Sequence, residues 1–397
     1  MINKYKNLIS YSKHCIDFKD IKSVTKILNS KNLTKGNVTK KFEKKIKNFC
    51  KSKHALTTIN ASCSLLMACK ALDLKKKDIV WTTNITYVAS INCALHLNAK
   101  IDLIDIENQN YNLCLNEFKK KLVLAKKKNC LPKIVVVVHL GGYPAPLKEI
   151  FLLSKKYNFK IIEDASHAFG ALYQNNKIGN CRFSDLTVFS FHPVKNITTA
   201  EGGAITTNNN KLYSKLLMIR ENGQTAEGIS QNKYPTKYDV KLLGYNFRIN
   251  EINSSLGLSQ IIKTNKFIKI KREIAKRYFR SLDIEQIKLP SKDILKKSSL
   301  HLFIIKINFN SLKLNKFEFL KKMRKLNIYL NTHYIPLSNL SLIKKNIKKG
   351  KNIYKNSQSY YNNALSLPMF PGLKFKDQTF VIKSILNLIK KNLKKNV

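Results

Sequence analysis

An aspartate and a lysine in this chain stand at positions where side chains often do chemistry. Asp164 ends the apolar segment KIIED, and Lys195 lies between an apolar run that ends at Ser190 and the pair Gly202 and Gly203. A lysine amine can form an imine with an aldehyde, and a carboxylate beside a pyridine nitrogen keeps that nitrogen protonated. The two glycines let the backbone approach a ligand closely. Together these residues predict covalent chemistry on pyridoxal phosphate (PLP), whereas Asp164 alone would be interpreted as a helix cap.

A PLP site also needs a place for the phosphate and a cover for the ring. Residues 60–63 (NASC) lie between a strand-like and a helix-like segment, so they can present backbone amides at a helix N-terminus, where anions bind. Ser190 supplies a hydroxyl, and Tyr87, at the head of another helical segment, can stack on the ring. Each of these residues could equally have an ordinary capping or core role. It is the set that predicts a single cofactor site.

Strand-like and helix-like segments alternate through the first two thirds of the chain. The strands are predicted at residues 54–59, 78–83, 100–106, 133–138 and 160–163. The helices among them are predicted at residues 64–72, 88–97 and 147–157. This alternation predicts an α/β fold with a mainly parallel sheet that helices cover on both faces. Ligands of such a sheet collect at the carboxyl ends of its strands, where Asp164 and Ser190 are expected.

The pattern changes beyond about residue 263. The predicted elements there are a long basic helix over residues 261–282, strands around 301–307, a helix and strand over 317–336, and a closing helix to residue 397. They indicate a smaller α+β domain that follows the first. We therefore predict a large PLP-binding domain of residues 1–262 and a small C-terminal domain of residues 263–397.

The formal net charge of +49 allows an alternative function. Clustered lysine and arginine favour nucleic acid, because binding to phosphates releases counterions. The lysines are instead spread over nearly the whole chain, mostly on segments that resemble exposed helix faces or loops, and no arginine-rich arm stands out. We interpret them as solvated surface charge that attracts anionic substrates, without a nucleic-acid or membrane partner.

The remaining composition is typical of a globular intracellular protein. Hydrophobic residues make up 44% of the chain, and its apolar runs are too short to span a membrane. The opening MINKYKNLISYSK lacks the apolar stretch of a secretory signal. The eight cysteines are scattered without a C-x-x-C pair, which predicts reduced thiols, no metal site, no disulfide framework and a cytoplasmic location.

Three long segments carry a family resemblance. SFHPVKNITTAEGGA resembles the lysine segment of the DegT family of PLP-dependent sugar aminotransferases, and EDASHAFGA and GYNFRINEINSSLGLSQI are similar to two further motifs of that family. The resemblance extends over nearly the whole chain, from YSKHCIDFKDIKSV to HYIPL. It implies PLP-dependent transferase fold type I (aspartate aminotransferase-like), with a mainly parallel seven-stranded sheet in the large domain. It also implies a homodimer whose active sites lie between the subunits.

The same resemblance implies roles for residues around the cofactor ring. Lys195 would form the imine with the cofactor aldehyde, and Asp164 would pair with the pyridine nitrogen. His167 would lie near the ring hydroxyl, and Tyr87 would stack on the ring. These four side chains would then surround the cofactor ring.

Further residues would hold the cofactor phosphate. The resemblance implies contacts from Ser190 and from the turn at Ser62 and Cys63. Asn246 would reach the phosphate across the dimer interface. The phosphate site would therefore combine residues of two subunits.

Within the family, the chain is most similar to members that aminate the C4 ketone of a UDP-linked 4-keto-6-deoxy-N-acetylhexosamine in pseudaminic acid biosynthesis, with L-glutamate as amino donor. The substrate-binding residues implied by this similarity are Tyr11, Lys31, Asn32, Leu33, Thr34, Ser62, Asn331, Thr332, His333 and Tyr334. Amination of a different keto-sugar is an alternative, and so is dehydration, although the family's dehydratases have histidine in place of Lys195. A non-enzymatic nucleic-acid-binding protein is the third alternative, and it leaves Asp164, Ser190 and Lys195 unexplained.

Overall fold

The computed structural model describes residues 7–225, 238–347 and 354–394. Within these ranges its strands are β1 (Ile9–Ser10), β2 (His54–Thr58), β3 (Ile79–Thr83), β4 (Lys100–Ile104), β5 (Ile134–Val138), β6 (Lys160–Asp164), β7 (Leu172–Tyr173), β8 (Asn176–Lys177), β9 (Leu186–Ser190), β10 (Gly203–Thr207), β11 (Ile287–Lys288), β12 (Phe303–Ile307), β13 (Ile328–Tyr329) and β14 (Ala364–Leu367). Its helices are α1 (Phe18–Leu28), α2 (Asn37–Cys50), α3 (Ala61–Ala71), α4 (Ala89–Leu95), α5 (Leu115–Lys127), α6 (Leu147–Tyr157), α7 (Asn210–Arg220), α8 (Glu251–Ile261), α9 (Thr264–Ser281), α10 (Ile294–Lys297), α11 (Lys316–Lys325), α12 (Ser341–Asn346), α13 (Lys355–Asn363) and α14 (Phe375–Lys391).

Seven of these strands form the central sheet, in the spatial order β2-β10-β9-β6-β5-β3-β4. β10 runs antiparallel to both of its neighbours, and every other pair in the sheet is parallel. Parallel sheets are covered on both faces, which is why β5, with the sequence IVVVV, is apolar and buried along its whole length. The predicted α/β fold with a mainly parallel seven-stranded sheet is confirmed.

Helices cover this sheet on two faces, and β5 shows how. Its residues Val135 and Val137 pack into one apolar core, whereas Ile134 and Val136 pack into another. The separation follows from the period of two along a strand. The first core contains side chains of α2, α5 and α6, and the second contains side chains of α3, α4 and α7.

The carboxyl ends of the strands bring polar side chains together. β6 and β9 are parallel neighbours with Asp164 opposite Val188, so Asp164 and Ser190 lie at the same edge of the sheet. Gly203 begins β10 opposite Ser190. A Cβ atom at Gly203 would lie only 2.6 Å from the carbonyl carbon of Asn60, so glycine is what lets the start of α3 approach this edge.

A second, three-stranded antiparallel sheet, β11-β12-β14, lies in the C-terminal part of the chain. It shares an apolar core with α9, α11 and α14. Ile9 belongs to the same core, because β1 pairs in parallel with β13. β1, which was assigned to the large domain, therefore packs with the core of the predicted small domain. The division into residues 1–262 and 263–397 stays a prediction.

Several predicted element ends are wrong, among them the start of the long basic helix, which begins at Thr264 and not at residue 261. The helix predicted to begin at residue 64 begins at Ala61, because the side chain of Asn60 accepts a hydrogen bond from the amide of Cys63 and caps it there. The closing helix ends at Lys391. The last part of its predicted range, residues 395–397, lies outside the described residues.

All eight cysteines are free. In the described ranges no helix is long and apolar enough to cross a membrane, and no group of three or more His, Cys, Asp or Glu side chains is arranged to hold a metal ion. The cytoplasmic location stays a prediction.

Candidate active site

A cavity of about 750 Å³ opens at the carboxyl ends of the central strands. Its lining includes the last residues of β5, β6 and β9 and the first turn of α3. Residues 331–335, from the C-terminal part of the chain, line it as well. The cavity therefore lies where a parallel sheet is expected to bind its ligand.

Lys195 enters this cavity from the loop between β9 and β10. The loop is closed by two hydrogen bonds of 2.9 Å, from the amide of Phe191 to the Gly202 carbonyl and from the amide of Thr199 to the Phe191 carbonyl. Burial lowers the pKa of Lys195 to about 8, and the Asp164 carboxylate opposes that shift. In the described part of the chain its amine has no hydrogen-bond or ion-pair partner. A buried amine of this kind is a nucleophile and a base.

Asp164 is held rigidly at the end of β6. Its Oδ2 accepts a hydrogen bond of 2.6 Å from the Ser90 hydroxyl. Its Oδ1 accepts from the amide and the hydroxyl of Ser166 at 3.1 and 2.6 Å. The side chain is buried, yet it lines the cavity together with Lys195. These hydrogen bonds fix both carboxylate oxygens of Asp164, so the side chain can face a cationic ring nitrogen in one orientation.

His167 is a buried neutral donor in the same cavity. The pKa of His167 is held well below 6.5 by burial and by the nearby Lys195 and His333. Its Nδ1 accepts a hydrogen bond of 3.2 Å from the Gly141 amide, which places the proton of the neutral ring on Nε2. Nε2 lies 3.0 Å from the hydroxyl of Tyr334.

The first turn of α3 forms the anion-binding part of the cavity. Asn60, Ala61 and Ser62 line it, and Ser190 contributes a hydroxyl. A helix leaves its first amides without intrahelical partners, so Ala61 and Ser62 can donate to a phosphate. The phosphate contact of Cys63 stays a prediction. Its side chain does not line the cavity, and its amide donates to Asn60 Oδ1 at 2.9 Å.

Aromatic rings form one wall of the cavity. Tyr87 is 56% exposed, and its ring centroid lies 5.7 Å from that of Tyr334. Tyr11 lies 4.8 Å from the ring of His333. Tyr87 is thus accessible to a bound ring, while Tyr11 and Tyr334 connect the beginning and the C-terminal part of the chain to the site.

The structure brings most, but not all, of the predicted site residues together. Those that line the cavity are Lys195, Asp164, His167, Ser190, Ser62, Tyr87, Tyr11, Asn331, Thr332, His333 and Tyr334. Asn246 and the run Lys31, Asn32, Leu33 and Thr34 do not line it and are exposed. Asn246 instead pairs with Glu221 in an isolated bridge.

The sequence did not predict the two serines that hold Asp164. It also did not predict an acidic residue, Glu201, in the lining of the cavity. Ser166 stands two residues after Asp164, and that spacing is the usual signal for an aspartate that accepts from a following amide. Ser90 had no local signal, because α4 meets Asp164 only in the folded chain. Glu201 lines the cavity, and its carboxylate lies 4.0 Å from His192.

Solved structures identify the class of this fold. PseC from Helicobacter pylori, an aminotransferase involved in the biosynthesis of pseudoaminic acid, matches with a TM-score of 0.85 and 30% identity, over 97% of this chain and 100% of that one. Spr1654 from Streptococcus pneumoniae, solved in a PLP form, matches with a TM-score of 0.86 over 97% and 99% of the two chains, and at 23% identity it shows the shared fold. Fold and cavity together define a transferase of PLP-dependent fold type I, as predicted.

The chain belongs to the DegT/DnrJ/EryC1/StrS aminotransferase family, whose sequence model matches residues 14–386. The UDP-4-amino-4,6-dideoxy-N-acetyl-beta-L-altrosamine transaminase of Campylobacter jejuni serotype O:23/36 is 35% identical over 389 residues, which are 97% of this chain and 98% of the relative. The predicted family and the aminotransferase class are thereby confirmed. The residues at the cavity fit PLP, because they combine an unpaired amine, a fixed carboxylate and a phosphate cradle at the start of α3, which Gly203 lets approach the edge of the sheet.

Proposed function

We propose that this protein is a PLP-dependent aminotransferase of pseudaminic acid biosynthesis. It would transfer the amino group of L-glutamate to the C4 ketone of a UDP-linked 4-keto-6-deoxy-N-acetylhexosamine. The observation that carries the reaction class is the unpaired, buried amine of Lys195 in one cavity with Asp164. The Campylobacter jejuni relative supports the substrate, because its name specifies a UDP-linked 4-amino-4,6-dideoxy sugar and the match covers 97% of this chain.

Lys195 moves the protons of the reaction. PLP, when bound, supplies an aldehyde that captures amines and a ring that accepts electrons from the reacting carbon. The Lys195 amine takes the proton from the α-carbon of the amino donor. In the second half of the reaction it returns a proton to C4 of the sugar. A pKa of about 8 leaves about a tenth of this amine neutral at pH 7, and the neutral form is the one that acts as a general base.

Asp164 and His167 hold the cofactor ring in the orientation that this proton transfer needs. Asp164, oriented by Ser90 and Ser166, accepts from the protonated ring nitrogen and stabilises its charge. Neutral His167 lies on the same strand end and is oriented by Tyr334 and by the amide of Gly141. A fixed polar environment of this kind stabilises developing charge without reorganising during the reaction.

The active enzyme is a homodimer in this proposal. Among the described residues that line the cavity, Lys195 is the only lysine or arginine, although the cofactor phosphate and the UDP diphosphate are both anionic. A partner subunit would complete the site with Asn246 and with residues of the run 31–34, which are exposed and outside their own cavity. Exposed apolar side chains on α1 and beside α8 support an interface there: Phe18, Ile21, Leu28, Leu33 and Ile262.

A transfer experiment with labelled nitrogen tests the function. The purified protein with PLP is given ¹⁵N-labelled L-glutamate and the UDP-4-keto-sugar, and the products are measured by mass spectrometry. We expect a ¹⁵N-labelled UDP-4-amino-sugar and 2-oxoglutarate in equal amounts. Formation of 2-oxoglutarate without amination of this sugar, followed by amination of a different keto-sugar, would contradict the assigned substrate. Absence of amino transfer from any amino acid would contradict the reaction class.

A further inference from the structure

A second buried lysine contacts the residue that follows Lys195. Lys271, in α9, is 3% exposed, and its Nζ donates to Oδ1 of Asn196 at 2.5 Å. Within the described ranges Lys271 forms no ion pair. A buried amine without a carboxylate destabilises a fold, because the charged form loses its hydration. Folding alone therefore does not account for a lysine at this position.

Asn196 uses all of its carboxamide in the contacts around it. Its Nδ2 donates to the carbonyl of Phe169 at 2.9 Å and to that of Ser299 at 3.4 Å. Its Oδ1 accepts from Lys271. If the carboxamide rotated by half a turn, its NH₂ group would face the Lys271 amine and its oxygen would face two carbonyls. The Lys271 amine and the two carbonyls together therefore select one orientation of this side chain.

These contacts connect the Lys195 loop to the segment that follows β6. Phe169 lies two residues after His167, and the Ser299 hydroxyl donates to the His167 carbonyl at 2.7 Å. Burial disfavours a charge on Lys271. Burial lowers the pKa of Lys271 to about 7, and the pKa of His301 is lowered by burial and by several groups that include Lys271 and Lys195.

We propose that Lys271 is a positioning residue for Lys195. Its amine fixes the Asn196 carboxamide, and the fixed carboxamide holds the peptide of Lys195 against the segment that carries Asp164 and His167. Lys271 itself does not line the cavity and does not touch the reacting atoms. The inference rests on the proposed role of Lys195. Loss of the Lys271 amine leaves Asn196 Oδ1 buried without a donor. The Asn196 side chain then no longer holds the peptide of Lys195 in one orientation.

The test measures how fast the cofactor-free protein captures PLP, followed by the change in visible absorbance after rapid mixing. In Lys271→Met we expect the rate constant of capture to fall about tenfold, which is within the roughly 100-fold loss that a displacement of a reacting group by about 1 Å can cause. Lys271→Gln keeps a neutral N–H donor and should recover most of the rate. Lys316→Met is the matched control. Lys316 is also a largely buried lysine that donates to a carbonyl, that of Tyr361, but it does not line the cavity, so its rate should match the wild type.

A double-mutant cycle separates positioning from general packing. Asn196→Ala should slow capture about as much as Lys271→Met, and the double variant should be no slower than either single one, because both changes remove the same contact. The proposal would be overturned if the losses of rate in the two single variants multiplied in the double variant. It would also be overturned if Lys271→Met captured PLP at the wild-type rate. If Lys271→Met does not fold, Lys271→Gln and Asn196→Ala carry the test, and equal wild-type rates in both would overturn it. Failure of the wild-type protein to capture PLP would instead overturn the function proposed for Lys195.

Discussion

The hydroxyl of Tyr334 lies 3.0 Å from Nε2 of His167. Tyr334 comes from the segment after β13, whereas His167 follows β6 in the central sheet. Because Nδ1 of His167 accepts a hydrogen bond from the Gly141 amide, the proton of the ring is on Nε2, which donates a hydrogen bond to the Tyr334 hydroxyl. This one contact links the C-terminal part of the chain to the strand end that bears Asp164, so the cavity depends on both parts being in place.

Removal of the Tyr334 hydroxyl should therefore weaken both fold and activity. In Tyr334→Phe the buried Nε2–H loses its acceptor, which costs about 1–3 kcal/mol. We expect the free energy of unfolding in urea to fall by that amount and the glutamate half-reaction to slow. Tyr238→Phe, at a 56% exposed tyrosine, is the control and should change neither quantity. Wild-type stability and rate in Tyr334→Phe would show that the contact has no role.

The charge of Asp164 is expected to matter more than its shape. Asp164→Asn keeps the size of the side chain but removes the negative charge that faces the ring nitrogen. We expect the single-turnover rate constant of the glutamate half-reaction to fall about 100- to 1000-fold, the size of effect seen when one preorganised electrostatic partner is lost. Asp102→Asn, which removes a carboxylate paired with Lys121 outside the cavity, is the control. Equal rates for both variants would argue against a role of Asp164 at the ring.

The pH dependence of PLP capture should report the pKa of Lys195. A lysine amine is neutral above its pKa, and only the neutral amine attacks an aldehyde. Burial lowers the pKa of Lys195 to about 8, so the capture rate of the cofactor-free protein should rise as the pH is raised through about 8 and level off above it. A rate that keeps rising to about 10.4, the pKa of an ordinary lysine, would contradict a buried reactive amine.

A largely buried ion-pair network around Arg220 should control stability. Arg220 donates to Glu43 at 2.7 Å and to Glu221 at 3.1 Å, and Glu221 also pairs with Arg248 at 2.8 Å. Arg220→Met leaves these acids short of a partner, and we expect a loss of about 3–5 kcal/mol in the free energy of unfolding. Breaking the exposed pair of Lys120 with Glu117 by Lys120→Met should cost at most about 1 kcal/mol. A similar small cost for Arg220→Met would show that solvent reaches this network.

Local sequence patterns predicted the residues to which we assign the chemistry. Lys195 and Asp164 adjoin apolar strands, and Ser62 lies at the start of a helix that follows a strand. Each is therefore expected where a strand ends, which is the edge of the sheet. The helix at residues 147–157 was likewise predicted with the bounds that the structure has. These features depend on residues near one another in the chain, and this is the information that a single sequence contains.

Residues whose roles depend on distant segments could not be predicted in this way. Ser90 meets Asp164 across 74 positions of the chain, and Lys271 meets Asn196 across 75. No local pattern distinguishes Lys271 from the other lysines of a basic helix; only packing makes it buried. The pairing of β1 with β13 also joins opposite ends of the chain, which is why an early segment packs with the C-terminal core.

The most direct test of the central claim identifies the lysine that binds PLP. The protein with PLP is reduced with borohydride, digested and analysed by mass spectrometry, once as it is and once after L-glutamate has been added. The account predicts a phosphopyridoxyl group on the peptide that contains Lys195, its absence after glutamate has displaced the lysine, and no labelled peptide from Lys195→Ala. Labelling of a different lysine, such as the second buried lysine Lys271, or labelling that glutamate does not remove, would contradict it.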